Sequence, residues 1–167
     1  MTQVKTNFSI EVENTNKRCA IGETVGNRNI HEKRMPVLSC EGACIKGEIA
    51  RLAANIVAKE EGFARACHGE LFSVPGSAMA NWVKQVEKTV LIDGCGLRCH
   101  GRILENLLGE KRLVQFNALA IHKKYADVFD IDDVPEEQRR EVAQQVADRV
   151  LADLKGGLAK PPMSRTA

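Results

Sequence analysis

Four short apolar segments, each followed by a stretch with helical periodicity, restrict the fold of this chain more than any other feature. Met35-Pro-Val-Leu-Ser leads into a helix with Ile45, Ile49, Leu52, Ala53, Ile56 and Val57 on one stripe. Phe63-Ala-Arg-Ala is a weaker strand, followed by a helix from Ser77 to Glu87 with Met79, Trp82, Val83 and Val86 facing inward. Thr89-Val-Leu-Ile is the clearest buried strand; its helix covers about Gly96 to Leu108 and stops at Gly109. Arg112-Leu-Val-Gln-Phe makes the last strand. The final helix starts near Pro135-Glu-Glu and carries Val142, Val146, Val150, Leu151 and Leu154 on one face. Parallel strands need a crossover connection, and a helix supplies it, so this order predicts a parallel sheet between helices. The expected fold is α/β, three-layer and Rossmann- or flavodoxin-like, with a mainly parallel sheet of about four strands and helices on both faces.

The flanks read differently. Residues 1–35 are polar and predict an extension, in which Phe8-Ser-Ile-Glu-Val alternates and fits an edge strand while the rest fits loop. Residues 36–155 form the expected domain, and residues 156–167, with Gly-Gly and Pro-Pro, a flexible tail. The formal charge is +2, no Lys/Arg run is interleaved with aromatics, and Trp82, Tyr125 and five Phe are the only such rings. A nucleic-acid role therefore has no support. The first residues lack a secretory pattern and no apolar run reaches the ~18 residues of a membrane span, so the expected location is cytoplasmic. In that reducing setting six cysteines point to metal or redox chemistry rather than disulfides.

Their placement sharpens the point. Cys40 and Cys44 follow the first predicted strand, Cys67 the second, Cys95 and Cys99 the third, and in parallel sheets ligands sit at those carboxyl ends. A single such cysteine would read as a small buried hydrophobe; five together read as ligands. Cys40-x3-Cys44 and Cys95-x3-Cys99 are each predicted to open a helix, where residues four apart share a face and the helix N-terminus favours thiolate. Cys40, Cys67, Cys95 and one of Cys44 or Cys99 would complete a tetrahedral site. Zinc is the expected metal, with an iron–sulfur cluster as the alternative on the same ligands. Asp93 is expected to cap the turn or orient a ligand, Gly94 and Gly42 to make the turns, and His68, His100 and His122 to flank the site. His31 and Cys19 lie in the polar extension and are not expected to be ligands. Were the site open, its free position would suit water or a small anion beside two helix N-termini.

Val90-Leu-Ile-Asp-Gly-Cys95-Gly-Leu-Arg-Cys99 resembles the signature of the DGC-domain family, described as zinc-binding and named for that tripeptide. The resemblance runs from about Val37 to Leu154 and implies four cysteine ligands, here Cys40, Cys67, Cys95 and Cys99, with Cys44 an extra thiol. It implies no particular reaction. A competing reading comes from Cys40-Glu-Gly-Ala-Cys-Ile-Lys46, which resembles the phosphate-cradling loop of low-molecular-weight phosphatases and arsenate reductases. That thiol-dependent enzyme would want Arg, whose planar fork grips an oxyanion at two points, where this chain has Lys46. A redox protein cycling Cys95 and Cys99 is the third reading, weakened by the x3 spacing.

Overall fold

A computed structural model of the chain describes residues 7–13 and 15–157. Its four strands are Met35–Ser39 (β1), Phe63–Arg65 (β2), Thr89–Asp93 (β3) and Leu113–Asn117 (β4). They form one all-parallel sheet in the order β2-β1-β3-β4. The helices are Ala20–His31 (α1), Ile45–Val57 (α2), His68–Ser73 (α3), Ala78–Gln85 (α4), Cys99–Leu108 (α5), Ala118–His122 (α6) and Glu136–Lys155 (α7). The fold is thus the expected three-layer α/β arrangement.

Side chains alternate across a strand, so each central strand feeds two cores. Val37, Val90 and Ile92 pack with Ile45, Ile49 and Val57 of α2 and Val142, Val146 and Val150 of α7. Leu38 and Leu91 face the opposite way, onto Leu71, Trp82, Val83 and Leu104 of α3, α4 and α5. Each fully buried Leu or Val contributes about 1.5–3 kcal/mol relative to exposure. Burial on both faces explains why β1 and β3 read as unbroken apolar runs rather than alternating ones. From β1 the chain steps outward to β2 and then returns across β1 to β3. The strand order therefore reverses between β1 and β3, and their carboxyl ends open a crevice there.

Several expectations need correction. Phe8–Val12 adopts no strand, and its apolar side chains are exposed rather than paired with the sheet. Loop was expected around residues 20–31; instead α1 forms there, capped by the Cys19 thiol, which accepts from the Gly22 amide at 3.4 Å. The helix escaped periodicity analysis because its buried positions are Gly22, Gly26 and Asn29, none of them apolar enough to register. α1 lies against α4 so closely that a Cβ at Gly26 would stand 2.4 Å from the Ala78 carbonyl carbon. The short α3 and α6 were likewise not anticipated. Among the described residues, no helix is long and apolar enough to cross a membrane.

Backbone has no flexible end to move aside, so Gly26→Ala must push α1 off α4. A loss of about 1–3 kcal/mol is expected in urea unfolding. Ile21→Ala, on the exposed face of the same helix, should stay within about 0.5 kcal/mol of the parent. Equal midpoints for the two variants would remove the case for a docked α1.

Candidate metal centre

At the crevice, three side chains from the ends of β1 and β3 and the start of α5 converge. Cys40 follows β1, Asp93 is the last residue of β3, and His100 is the second residue of α5. One ligand atom from each lies within 4.8 Å of the others, and among the described residues this is the one His/Cys/Asp/Glu group of three or more that meets this distance. The approach depends on glycine. A Cβ at Gly47 would come within 2.2 Å of the Gly42 carbonyl oxygen, and one at Gly94 within 2.8 Å of the Lys46 carbonyl oxygen. The first glycine lets the β1–α2 turn fold back on itself, and the second lets the β3–α5 connection touch the start of α2. Gly101 plays the same part for α5, since a Cβ there would stand 2.7 Å from Asp93 Oδ2. Just before this helix, Arg98 takes a left-handed conformation (φ 51°) and donates to Gln115 Oε1 at 2.7 Å and to Glu105. Those bonds tie the start of α5 to β4.

The polar groups of this cluster are deeply buried. Asp93 is 2% exposed, and neither carboxylate oxygen meets full hydrogen-bond geometry with a partner. Burial raises its pKa above the ordinary 3.8, although the His100 ring, the Arg98 charge and the nearby backbone amides of Gly101 and His100 pull the other way. His100 Nδ1 is also buried and unpartnered. The His68 ring lies edge-on to that of His100, centroids 4.7 Å apart, with its Nε2 buried and unpartnered. Burial, then His100 and Arg65, push the His68 pKa down to about 3, so this imidazole is neutral. Of nine such orphaned side-chain atoms among the described residues, four belong to Asp93, His68 and His100. Buried polar groups are nearly always satisfied in folded proteins, and a bound divalent ion would satisfy several of these at once.

The remaining thiols are free and lie outside this group. Cys44 is the N-cap of α2 and half-buried, Cys95 is half-buried in the β3–α5 loop, and Cys67 and Cys99 are exposed at the starts of α3 and α5. The expectation that each x3 pair shares the first turn of a helix is corrected: Cys40 and Cys95 lie in the preceding loops, outside the helices. No three cysteines meet the 4.8 Å distance among the described residues. His122 ends α6, where its Nδ1 accepts from the Lys124 amide at 2.9 Å, outside the group. His31 and Cys19 both belong to α1, one in its last turn and one as its cap. The Lys46 ammonium, needed as the cation of a phosphate loop at Cys40, donates instead to the Ala126 carbonyl at 2.9 Å. Gly42 N–H donates to Cys40 Sγ at 3.4 Å.

Across residues 36–146 the chain matches the DGC domain. The chain belongs to the DGC domain family. No curated protein and no solved structure matches it. The DGC match takes in β1 through most of α7 and every residue of the cluster, and it excludes α1. Within it, the aspartate of the Asp93-Gly94-Cys95 tripeptide is, with Cys40, a buried member of the group, while its cysteine is half-exposed on the loop.

The titration of His68 carries a sign. The unfolded chain takes up its imidazole proton near 6.5 and the native state only near 3, so unfolding is favoured as pH falls between those values. Metal-free protein should lose stability across that window, and His68→Gln should flatten the slope of urea midpoint against pH. Asp93 acts oppositely: its raised pKa makes the native state bind the proton first, so ionisation above 3.8 costs stability. Asp93→Asn should therefore stabilise the metal-free protein at neutral pH. A pH profile identical to the parent in both variants would show that neither group is buried as described.

Proposed function

We propose that this chain binds zinc in the crevice between β1 and β3, with Cys40, Asp93 and His100 as the inner ligands and residues 36–155 as the unit that carries them. The observation that supports this reading is the convergence of a thiol, a carboxylate and an imidazole within 4.8 Å, where the buried carboxylate meets only poorly aligned backbone amides and an imidazole nitrogen has no hydrogen-bond partner. Thiolate, imidazole and carboxylate together are donors zinc takes readily, and the buried crevice keeps competing water away. Cys67, Cys95, Cys99 and Cys44 follow the same strands and belong to the reading as thiols that guide the ion in or protect it, provided they stay reduced, as in a cytoplasmic setting. An iron–sulfur cluster fits less well, because it wants four thiolates and this group holds one. A phosphatase-like role at Cys40 is disfavoured by the engagement of Lys46 elsewhere.

Protein purified under reducing conditions without added metal should contain about one zinc per chain by elemental analysis and show no visible absorption. Chelation should lower its melting temperature, since a ligand at 100 times its Kd adds about 2.7 kcal/mol to the native state. Cys40→Ser should lose stoichiometric zinc, and Cys19→Ser should keep it. Metal-free parent protein that takes up no zinc on titration, or equal zinc in both variants, would overturn the proposal; a brown, iron-containing protein would replace zinc by a cluster.

A further inference from the structure

We infer that Arg98 is the positioning residue of this centre. Its guanidinium, bonded to Glu105 and Gln115, holds the turn before α5 in a left-handed backbone and so keeps the His100 imidazole beside Asp93 and Cys40. The inference rests on the metal reading above and names the contact that sets its affinity.

The turn breaks two local rules at one residue. Arg98 is the N-cap of α5, yet its side chain accepts nothing from the free amides of the first turn, whereas Ser77 and Asn117 do so for α4 and α6. Its backbone is left-handed, φ 51° and ψ 46°, where a β-carbon crowds the following carbonyl and only glycine is at ease. Lys33, Lys123 and Tyr125 share the positive φ among the described residues, but only Arg98 lies within two residues of the Cys40, Asp93 and His100 group. A backbone of this kind persists where surrounding contacts over-determine it, and such residues gather at sites that need exact placement.

The contacts that do this form a closed triangle. Arg98 donates to Gln115 Oε1 from Nη2 at 2.7 Å and from Nε at 3.2 Å, and its Nη2 also donates to Glu105 Oε1. Gln115 Nε2 completes the ring by donating to the same Glu105 oxygen at 2.8 Å. Loop, helix and strand are thereby joined through one guanidinium, whose planar fork suits a fixed geometry. The side chains of Arg98 and Glu105 are only 20% and 15% exposed, so water competes little for these bonds.

The triangle reaches the centre by two routes. Along the chain, the Arg98 amide donates to the Cys95 carbonyl at 3.2 Å and its carbonyl accepts from the Arg102 amide at 2.9 Å, so the turn and the first turn of α5 move together. Relaxing residue 98 to an ordinary backbone would redirect the chain two residues before His100. Through space, Gln115 stands opposite Leu91 in the β3–β4 register, on the same face as Asp93, because side chains alternate along a strand. Both meet at Gly101, where a Cβ would lie 2.6 Å from Gln115 Oε1 and 2.7 Å from Asp93 Oδ2. A shift of the clamp is therefore felt by His100 and Asp93 alike.

Zinc titrated into reduced, metal-free protein, read beside the urea midpoint of the same samples, tests this. Arg98→Gly keeps the left-handed angle and drops the guanidinium; it should weaken zinc binding about 10- to 100-fold, as loss of a partner that orients a ligand does. Removing a positive charge would by itself strengthen cation binding, so weaker binding reports position rather than charge. Gln115→Ala, which changes no charge and leaves residue 98 intact, should weaken binding by less and carries the test should Arg98→Gly fail to fold. Gly26→Ala loosens α1 elsewhere in the molecule, and should lower the midpoint while keeping the parent's affinity. Imidazole 15N spectra of metal-free protein should show His100 shifted or averaged in Arg98→Gly relative to the parent. Parent affinity and parent His100 resonances in Arg98→Gly and Gln115→Ala, while Cys40→Ser abolishes zinc binding, would overturn the role of Arg98 and leave the metal reading standing. A parent that takes up no zinc would sink both.

Discussion

Two loops in van der Waals contact over hydrogen-sized side chains hold the chemistry of this protein together. The β1–α2 connection presents the backbone of Gly42 and Gly47, and the β3–α5 connection meets the carbonyl of Lys46 through Gly94. A methyl at Gly94 would overlap the backbone of Lys46 and Gly47, which cannot rotate away, so the two segments would have to part, and one at Gly47 would distort the β1–α2 turn against Gly42. Cys40 rides on one and Asp93 with His100 on the other. Their separation is therefore set by glycine rather than by attraction among the ligands, which in the absence of an ion is weak and includes an unpaired buried carboxylate.

That arrangement inverts the usual relation between burial and stability. The sheet and its two cores are strongly favourable, with Leu38, Val90, Leu91 and Ile92 all fully buried. The crevice gives back part of that gain in keeping the Asp93 carboxylate and the His68 Nε2 away from water with few or no well-placed partners. The physics is coherent if an ion completes the set, since it converts several unpaired groups into ligands in one step. The cores supply rigidity on both sides of the crevice, so the donors wait in place rather than being gathered from disorder.

Much of the fold was legible in the sequence because β1 to β4, α2, α4, α5 and α7 bury apolar side chains at regular spacing. The parallel sheet followed from their order, and the crevice from the way such sheets bind ligands. α1 was hidden because tight helix packing there uses Gly22 and Gly26, which carry no periodic signal, and the alternation of Phe8, Ile10 and Val12 mimicked a strand that has no partner. At the site, Cys40 could be seen from its position after β1. Asp93 could not be told from a capping residue, since both roles place a carboxylate at a strand-to-helix turn. Its one distinguishing mark was a charged residue closing the most apolar strand of the chain. His100 was overshadowed by Cys99, because sequence adjacency gives no clue which neighbour the first turn of α5 aims at Asp93. That direction depends on Gly101, a tertiary contact.

Arg65 has a consequence at the other side of the sheet. β2 is an edge strand of only three residues, and the guanidinium on it is drawn across to the Val37 carbonyl, Ser39 and Glu41. A short edge carrying an arginine committed to its own neighbours is a poor template for a foreign strand. The same residue that steadies Glu41 therefore guards the protein against self-association along that border, and β4 is left as the sheet's longer open margin.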